Sequence, residues 1–137
     1  MNPNLRWAIA AALLLFLGVQ LFLRPQQAPP AQGGSSLVIK DQTIRAEDGR
    51  VVYRGDIDLA PALARIERGE RDPHRNDGSV HRNREGRLPR QADRDYYREY
   101  VVRTPGLRSV GPQRLVIGKN GETYYTPDHY QSFVRVR

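Results

Sequence analysis

Cysteine is missing from the 137-residue chain, which removes disulfides, thiol nucleophiles and cysteine metal sites together. Histidine is scarce: the imidazoles at 74, 81 and 129 lie too far apart for a paired metal-ligand spacing. Asp93 and Asp95, beside a tyrosine pair, read as a solvated turn rather than a magnesium site. No metal or organic cofactor is therefore expected. Lysine is scarce too, since only Lys40 and Lys119 among the 22 basic residues are lysines. The rest are arginines, whose rigid fork suits phosphate and carboxylate. With 15 acidic residues the formal charge is +7, which favours a polyanionic partner, although a codon preference for arginine explains such a count equally well.

Long hydrophobic runs are absent after residue 23. The one such run, residues 7–23, follows a short stretch carrying Arg6 and is closed by Arg24-Pro25. It is long for a secretory core and a little short for a spanning helix, and Ala28-Pro29-Pro30-Ala31 makes a poor cleavage signal. Residues 1–24 thus read as a signal peptide or an N-terminal membrane anchor, 25–36 as a flexible linker, and 37–137 as the folded domain. Either reading of the N-terminus places the domain outside the cytoplasm, secreted or tethered to the inner membrane. Without residues 1–35 there remain 20 basic and 15 acidic side chains, a charge of +5, so the domain itself is basic.

Within the domain, Leu37-Val38-Ile39 and Val51-Val52-Tyr53 read as short strands joined around Glu47-Asp48-Gly49. Next come the signals of a helix: Asp58 as N-cap, a stripe of Leu59, Leu63 and Ile66, and Gly69 as terminator. So short a helix must lay its stripe on a sheet. Residues 71–91 are polar, with Asn76-Asp77-Gly78 as a turn, and form either a floppy segment or a binding loop. In Tyr96-Tyr97-Arg98-Glu99-Tyr100-Val101-Val102, strand periodicity sets Glu99 with Tyr97 and Val101, and Tyr100 with Val102 on the opposite face. Gln113-Arg114-Leu115-Val116-Ile117 puts Arg114 with Val116. Thr123-Tyr124-Tyr125-Thr126 follows through the Asn120-Gly121 turn and delivers the chain to Asp128-His129-Tyr130. Residues 132–136 alternate as a closing edge strand protected by its charges. Of the tyrosines, Tyr100 is the first choice for the core; the others are divided between packing and base stacking.

A carboxylate, a guanidinium and an imidazole can therefore meet beside one small antiparallel sheet. Cleaving RNA through its own 2′-hydroxyl needs a base, an acid and positive charge near the phosphate. Glu99 fits the base, His129 the acid, since imidazoles titrate near neutrality, and Arg114 the phosphate clamp. Taken singly, Glu99 also fits a solvent-facing strand residue paired with an arginine, and His129 an idle loop residue.

The strings Ile66-Glu67-Arg68-Gly69, Asn76-Asp77-Gly78, Asn83-Arg84-Glu85, Leu88-Pro89, Tyr96-Tyr97-Arg98-Glu99-Tyr100, Thr104-Pro105-Gly106, Arg114 with its hydrophobic followers, and Tyr124-Tyr125-Thr126-Pro127-Asp128-His129-Tyr130 together carry a resemblance. From about Leu59 onward the chain resembles the small secreted microbial ribonucleases that prefer guanine, the barnase-like group and especially its streptomycete branch. The resemblance implies an α+β fold, one main helix packed on a small twisted antiparallel sheet, with the active site on the sheet's open face. It implies Glu99 as general base, His129 as general acid and Arg114 as the stabiliser of phosphoryl charge, with Tyr130 and Arg108 facing the phosphate. Glu85 is implied as the acceptor of the guanine N1 and N2 hydrogens, and backbone amides around Asn83 and Arg84 as donors to O6. The implied reaction yields a 2′,3′-cyclic phosphate and then a 3′-phosphate from single-stranded RNA, with no cofactor. A monomer is implied, and a toxin use, with a small acidic inhibitor protein as partner, is an open alternative to scavenging.

The chain also departs from that pattern. His81 stands where close relatives have an aromatic residue, Arg82 where they have glutamine, and Val110 where they often have a second phosphate-facing arginine. The branch's usual disulfide is absent. These departures keep a second class of function open, a noncatalytic RNA-binding or surface protein that retains the ribonuclease fold.

Overall fold

The computed structural model describes residues 37–137; the N-terminal run and the linker lie outside the described residues. A hairpin comes first, made of β1 (Val38–Arg45) and β2 (Val51–Asp58). Both strands run further than the short apolar triplets suggest. Their polar halves are held by cross-strand chemistry, including a 2.6 Å contact from Lys40 Nζ to Asp56 Oδ2. An irregularity in register between Ile39 and Gln42 places Asp41 at φ 51, a bulge that hides the strand from a simple alternation rule.

Helix α1 (Ala60–Glu67) follows, with Pro61 in its first turn, where a missing N–H costs nothing. Asp58 lies one residue outside the cap position, yet its Oδ1 accepts the Ala60 N–H at 2.9 Å. Gly69 takes the left-handed conformation that ends the helix, at φ 71. Eight residues cannot hold a helix alone. Burial of Leu59 and Leu63, worth about 1.5–3 kcal/mol per side chain, is what keeps it in place.

The five-stranded antiparallel sheet runs β3 (Ser79–His81), β4 (Tyr97–Val101), β5 (Arg114–Gly118), β6 (Thr123–Thr126) and β7 (Val134–Arg135) in spatial order. One face meets α1 and the hairpin: Val102, Leu115 and Tyr125 pack with Ile57, Leu59 and Leu63. The opposite face carries a second apolar cluster of Leu88, Tyr97, Val116 and Tyr124, with Tyr96, Tyr130 and Phe133 against it. The architecture is thus α+β, and the face that bears the site is partly covered by loops. Tyr100 is only half-buried at the edge of the helix-side core. The tyrosine at its centre is Tyr125, with no exposed surface and its hydroxyl on Gln113 Oε1. The closing strand is shorter than the alternation suggests, two residues with Val134 still 49% exposed.

The polar segment 71–91 is tied to the helix and the sheet by side chains. Asp77 is fully buried and accepts from Arg65 Nη1 at 2.9 Å and Nη2 at 3.0 Å, and from the N–H groups of Val101 at 2.8 Å and Asp72 at 2.9 Å. Burial pushes its carboxyl up, but the Arg65 guanidinium and these N–H donors prevail and hold it below its ordinary value. One side chain thereby ties α1, the loop and β4 together, and the Gly78 N–H adds a 2.7 Å bond to the Glu99 carbonyl.

Candidate active site

The register of the sheet brings the charged pair to one face. Glu99 stands opposite Val116, and Val101 opposite Arg114, so Glu99 and Arg114 project to the same side of adjacent strands. Arg114 in turn stands opposite Thr126, and Ser79 opposite Glu99. Glu99 is 8% exposed and Arg114 is 5% exposed. A carboxylate this deep ordinarily takes an ion-pair partner, yet among the described residues Glu99 accepts only from hydroxyls: Ser79 Oγ at 2.9 Å and Tyr130. Arg114 donates through Nη1 to the Gly111 and Gln113 carbonyls, both at 2.7 Å. Its buried Nε has no acceptor among the described residues. Among the described residues, a buried guanidinium with an unmet donor and a carboxylate without an ion-pair partner thus lie on one face of neighbouring strands, a combination suited to an anion with its own proton to give.

Tyr130 links this pair to the histidine. Its hydroxyl is on Glu99 and its ring centroid lies 4.9 Å from that of His129, so Glu99, Arg114, Tyr130 and His129 share one side of the sheet. Burial, then the hydrogen bond and charge of Glu99, push the Tyr130 phenol upward, while Arg114 pulls it the other way. His129 itself is exposed. The approach of this segment is strained: His129 has φ 55 and Tyr130 φ 70, a left-handed pair that costs about 1–3 kcal/mol per residue. It is held by the His129 N–H on the Pro112 carbonyl at 3.1 Å and the Tyr130 N–H on Thr126 Oγ1 at 3.0 Å. Asp128 completes the brace, accepting from Thr126 Oγ1 at 2.9 Å and the Ser132 N–H at 2.8 Å. Burial alone would raise its carboxyl, and the Ser132 and Thr126 donors lower it overall.

The loop after β3 forms the second half. Asn83 sits at φ 48, and its side chain clasps the Leu88 backbone from both sides, Nδ2 to the carbonyl at 2.9 Å and Oδ1 from the N–H at 3.0 Å. Leu88 is buried in the site-face cluster, and the Tyr97 hydroxyl bonds the Pro89 carbonyl at 2.9 Å. The loop is therefore fixed, while the N–H groups of Asn83, Arg84 and Glu85 donate to no backbone carbonyl among the described residues. The clasp engages both polar atoms of the Asn83 amide once each. Replacing Asn83 by Ala should cost about 2 kcal/mol, from two lost hydrogen bonds and a left-handed alanine, measured by urea unfolding.

His81 joins the row of rings, 5.0 Å from Tyr130 and 6.0 Å from Phe133. Glu85 is exposed on the loop but its charge is felt at His81. Arg84 and Arg108 are exposed. Three contributors escape a reading of the sequence: Ser79, Asp128 and Phe133. Ser79 had a signal, since the period of β3 sets it on the face of His81; the other two act through a turn that only the folded chain shows. Among the described residues no three His, Asp or Glu side chains converge as a metal group would require.

A family model described as ribonuclease matches residues 57–137. The chain belongs to the ribonuclease family. Guanyl-specific ribonuclease St of Saccharopolyspora erythraea is 50% identical over 68 residues, covering 50% of this chain and 66% of that protein. Guanyl-specific ribonuclease Sa3 of Kitasatospora aureofaciens is 44% identical over 90 residues, 64% of this chain and 63% of that protein. The aligned portion thus spans just under two thirds of the length of these curated relatives. Among solved structures, ribonuclease Sa2 in complexes with mononucleotides superposes with a TM-score of 0.54 at 40% identity, over 58% of this chain and 81% of that one. Ribonuclease Sa2 with guanosine-2′-cyclophosphate gives a TM-score of 0.52 at 42% identity, over 58% and 84%. The ribonuclease match begins at the end of β2, so most of the hairpin precedes it.

Proposed function

We propose that this ribonuclease-family domain is a guanine-preferring endoribonuclease acting on single-stranded RNA without a metal. The observation that carries the reading is the buried Glu99 carboxylate, held among the described residues by hydroxyls alone, on the same face of the sheet as Arg114 with its unmet Nε. Glu99 takes the proton of the 2′-hydroxyl, whose oxygen then attacks phosphorus. Arg114 and the Tyr130 hydroxyl, with Arg108 from the neighbouring loop, bear on the phosphoryl oxygens, where negative charge grows. His129 gives its proton to the departing 5′-oxygen, leaving a 2′,3′-cyclic phosphate. In the second step water attacks the ring, His129 now accepting a proton and Glu99 returning one, to leave a 3′-phosphate. Glu85 accepts from guanine N1 and N2, and the free N–H groups around Asn83 and Arg84 donate to O6; adenine meets that pattern with the wrong groups and leaves polar atoms unpaired.

The hydrophobic run of residues 7–23 supports a place outside the cytoplasm, secreted or membrane-tethered, and the domain is read as a monomer. A basic site of this form also suits blockade by a small acidic protein. The test is a single-stranded oligoribonucleotide with one guanosine, incubated in chelator: cleavage should fall after G, and the same strand with 2′-deoxyguanosine there should stay whole. Tight RNA binding with no cleavage would instead make the domain a noncatalytic RNA binder.

A further inference from the structure

Two of the chain's three histidines flank one tyrosine ring. His81 ends β3, half-buried, with Tyr97 across from it on β4. Its ring stacks toward Tyr130 at 5.0 Å and meets Phe133 edge-on at 6.0 Å, so its position is fixed by packing. No hydrogen bond holds its ring among the described residues; burial lowers its pKa, and the carboxylates of Glu99, from β4, and Glu85, from the adjoining loop, pull the other way. The Tyr130 phenol and, beyond it, His129 stand on the side of the β6–β7 loop, with Arg114 of β5 acting on the same phenol. Arg82, next in sequence, is exposed.

We propose that His81 determines base selectivity through its charge: the neutral ring stacks beside the bound base and leaves Glu85 to guanine, whereas the imidazolium competes with guanine for Glu85 and draws on Glu99. This rests on the guanine-site reading above. Glu85 shares one negative charge between the N1 and N2 hydrogens of a base and a neighbouring cation, so each partner weakens its hold on the other. A base lying on the ring also strips water from it, which disfavours the charged form. Guanine binding and protonation of His81 therefore oppose one another, and each weakens the other equally by linkage.

The sign follows. Burial already holds His81 below its ordinary value, against the pull of Glu99 and Glu85. The ring therefore stays neutral to lower pH than an ordinary imidazole does, and takes up its proton only as pH falls through that lowered value. Selectivity for guanine over adenine falls with it, while the carboxylates as a class are still ionised above about pH 5.

The experiment compares kcat/KM for guanylyl-3′,5′-cytidine and adenylyl-3′,5′-cytidine between pH 5 and 7.5, in the full chain and in His81→Phe, which keeps a ring but cannot take a proton. The guanine-to-adenine ratio should fall about threefold to tenfold toward pH 5 in the wild type and stay level in His81→Phe. In parallel, the His81 ring is titrated by NMR alone, with guanosine 3′-monophosphate and with adenosine 3′-monophosphate; the guanine nucleotide should lower its midpoint by more than the adenine nucleotide does. Cleavage after G with a ratio that ignores pH, or that falls equally in His81→Phe, overturns the inference alone, as does a midpoint that guanosine monophosphate leaves unmoved or raises. No cleavage of either substrate at any pH overturns the ribonuclease reading and this inference with it.

Discussion

Changing Glu99 to Gln should lower kcat/KM for cleavage after guanosine by about a thousandfold, the scale of a positioned general base, while the domain stays folded. Glutamine keeps the volume and can still meet the hydroxyls of Ser79 and Tyr130 that hold the native carboxylate, so the stability change should stay within about 1 kcal/mol. His129 is tested by asparagine rather than alanine. Its φ of 55 is a conformation that asparagine adopts readily, so the backbone of the strained turn survives and only the proton donor is lost. A fall of two to four orders of magnitude is expected there as well, read from initial rates with circular dichroism as the check on folding. Activity retained in both variants would remove these residues from the chemistry.

The largest effect on stability is expected at Asp77, which touches no substrate in this account. Asp77→Ala leaves the Arg65 guanidinium, 19% exposed, and the N–H groups of Val101 and Asp72 without their acceptor. Breaking such a buried pair by removing one partner costs about 3–5 kcal/mol, a large part of the roughly 5–15 kcal/mol that a domain possesses. Tm should drop by roughly 15–30 °C. A loss under about 1 kcal/mol would show that the tie between α1 and β4 is replaceable. Because the folded carboxyl is depressed, its stabilising contribution is present above the unfolded value near 3.9 and is lost as pH falls through the lower, folded one. Asp77→Asn should therefore show a shallower acid limb of stability than the wild type in urea unfolding across that window.

What could be read from the sequence followed periodicity. The strand pattern assigned Glu99 and Arg114 to one face and Leu115 and Val102 to the other, because period two is rigid and both faces carry apolar residues with it. The helix, its stripe and its Gly69 terminator were likewise legible, since caps and stripes are local. Harder to read was anything that depends on a distant partner. Asp77 looks like an ordinary turn residue until Arg65, twelve positions earlier, is seen to reach it. Tyr100 and Tyr125 cannot be ranked by pattern alone, because depth depends on where the helix lies. The polar half of the first hairpin was missed because a bulge and a Lys40–Asp56 pair replace alternation there. In the site, the left-handed His129–Tyr130 pair and the Asn83 clasp on Leu88 have no sequence signature beyond the side chains themselves.

The central claim is that Glu99, Arg114 and His129 act on one phosphodiester by transferring it to its own 2′-oxygen. Mass spectrometry of the early products of an RNA digest in chelator tests this most directly. Fragments ending in guanosine 2′,3′-cyclic phosphate, converting later to 3′-phosphate, are the predicted result; fragments carrying 5′-phosphates and 3′-hydroxyls would contradict it.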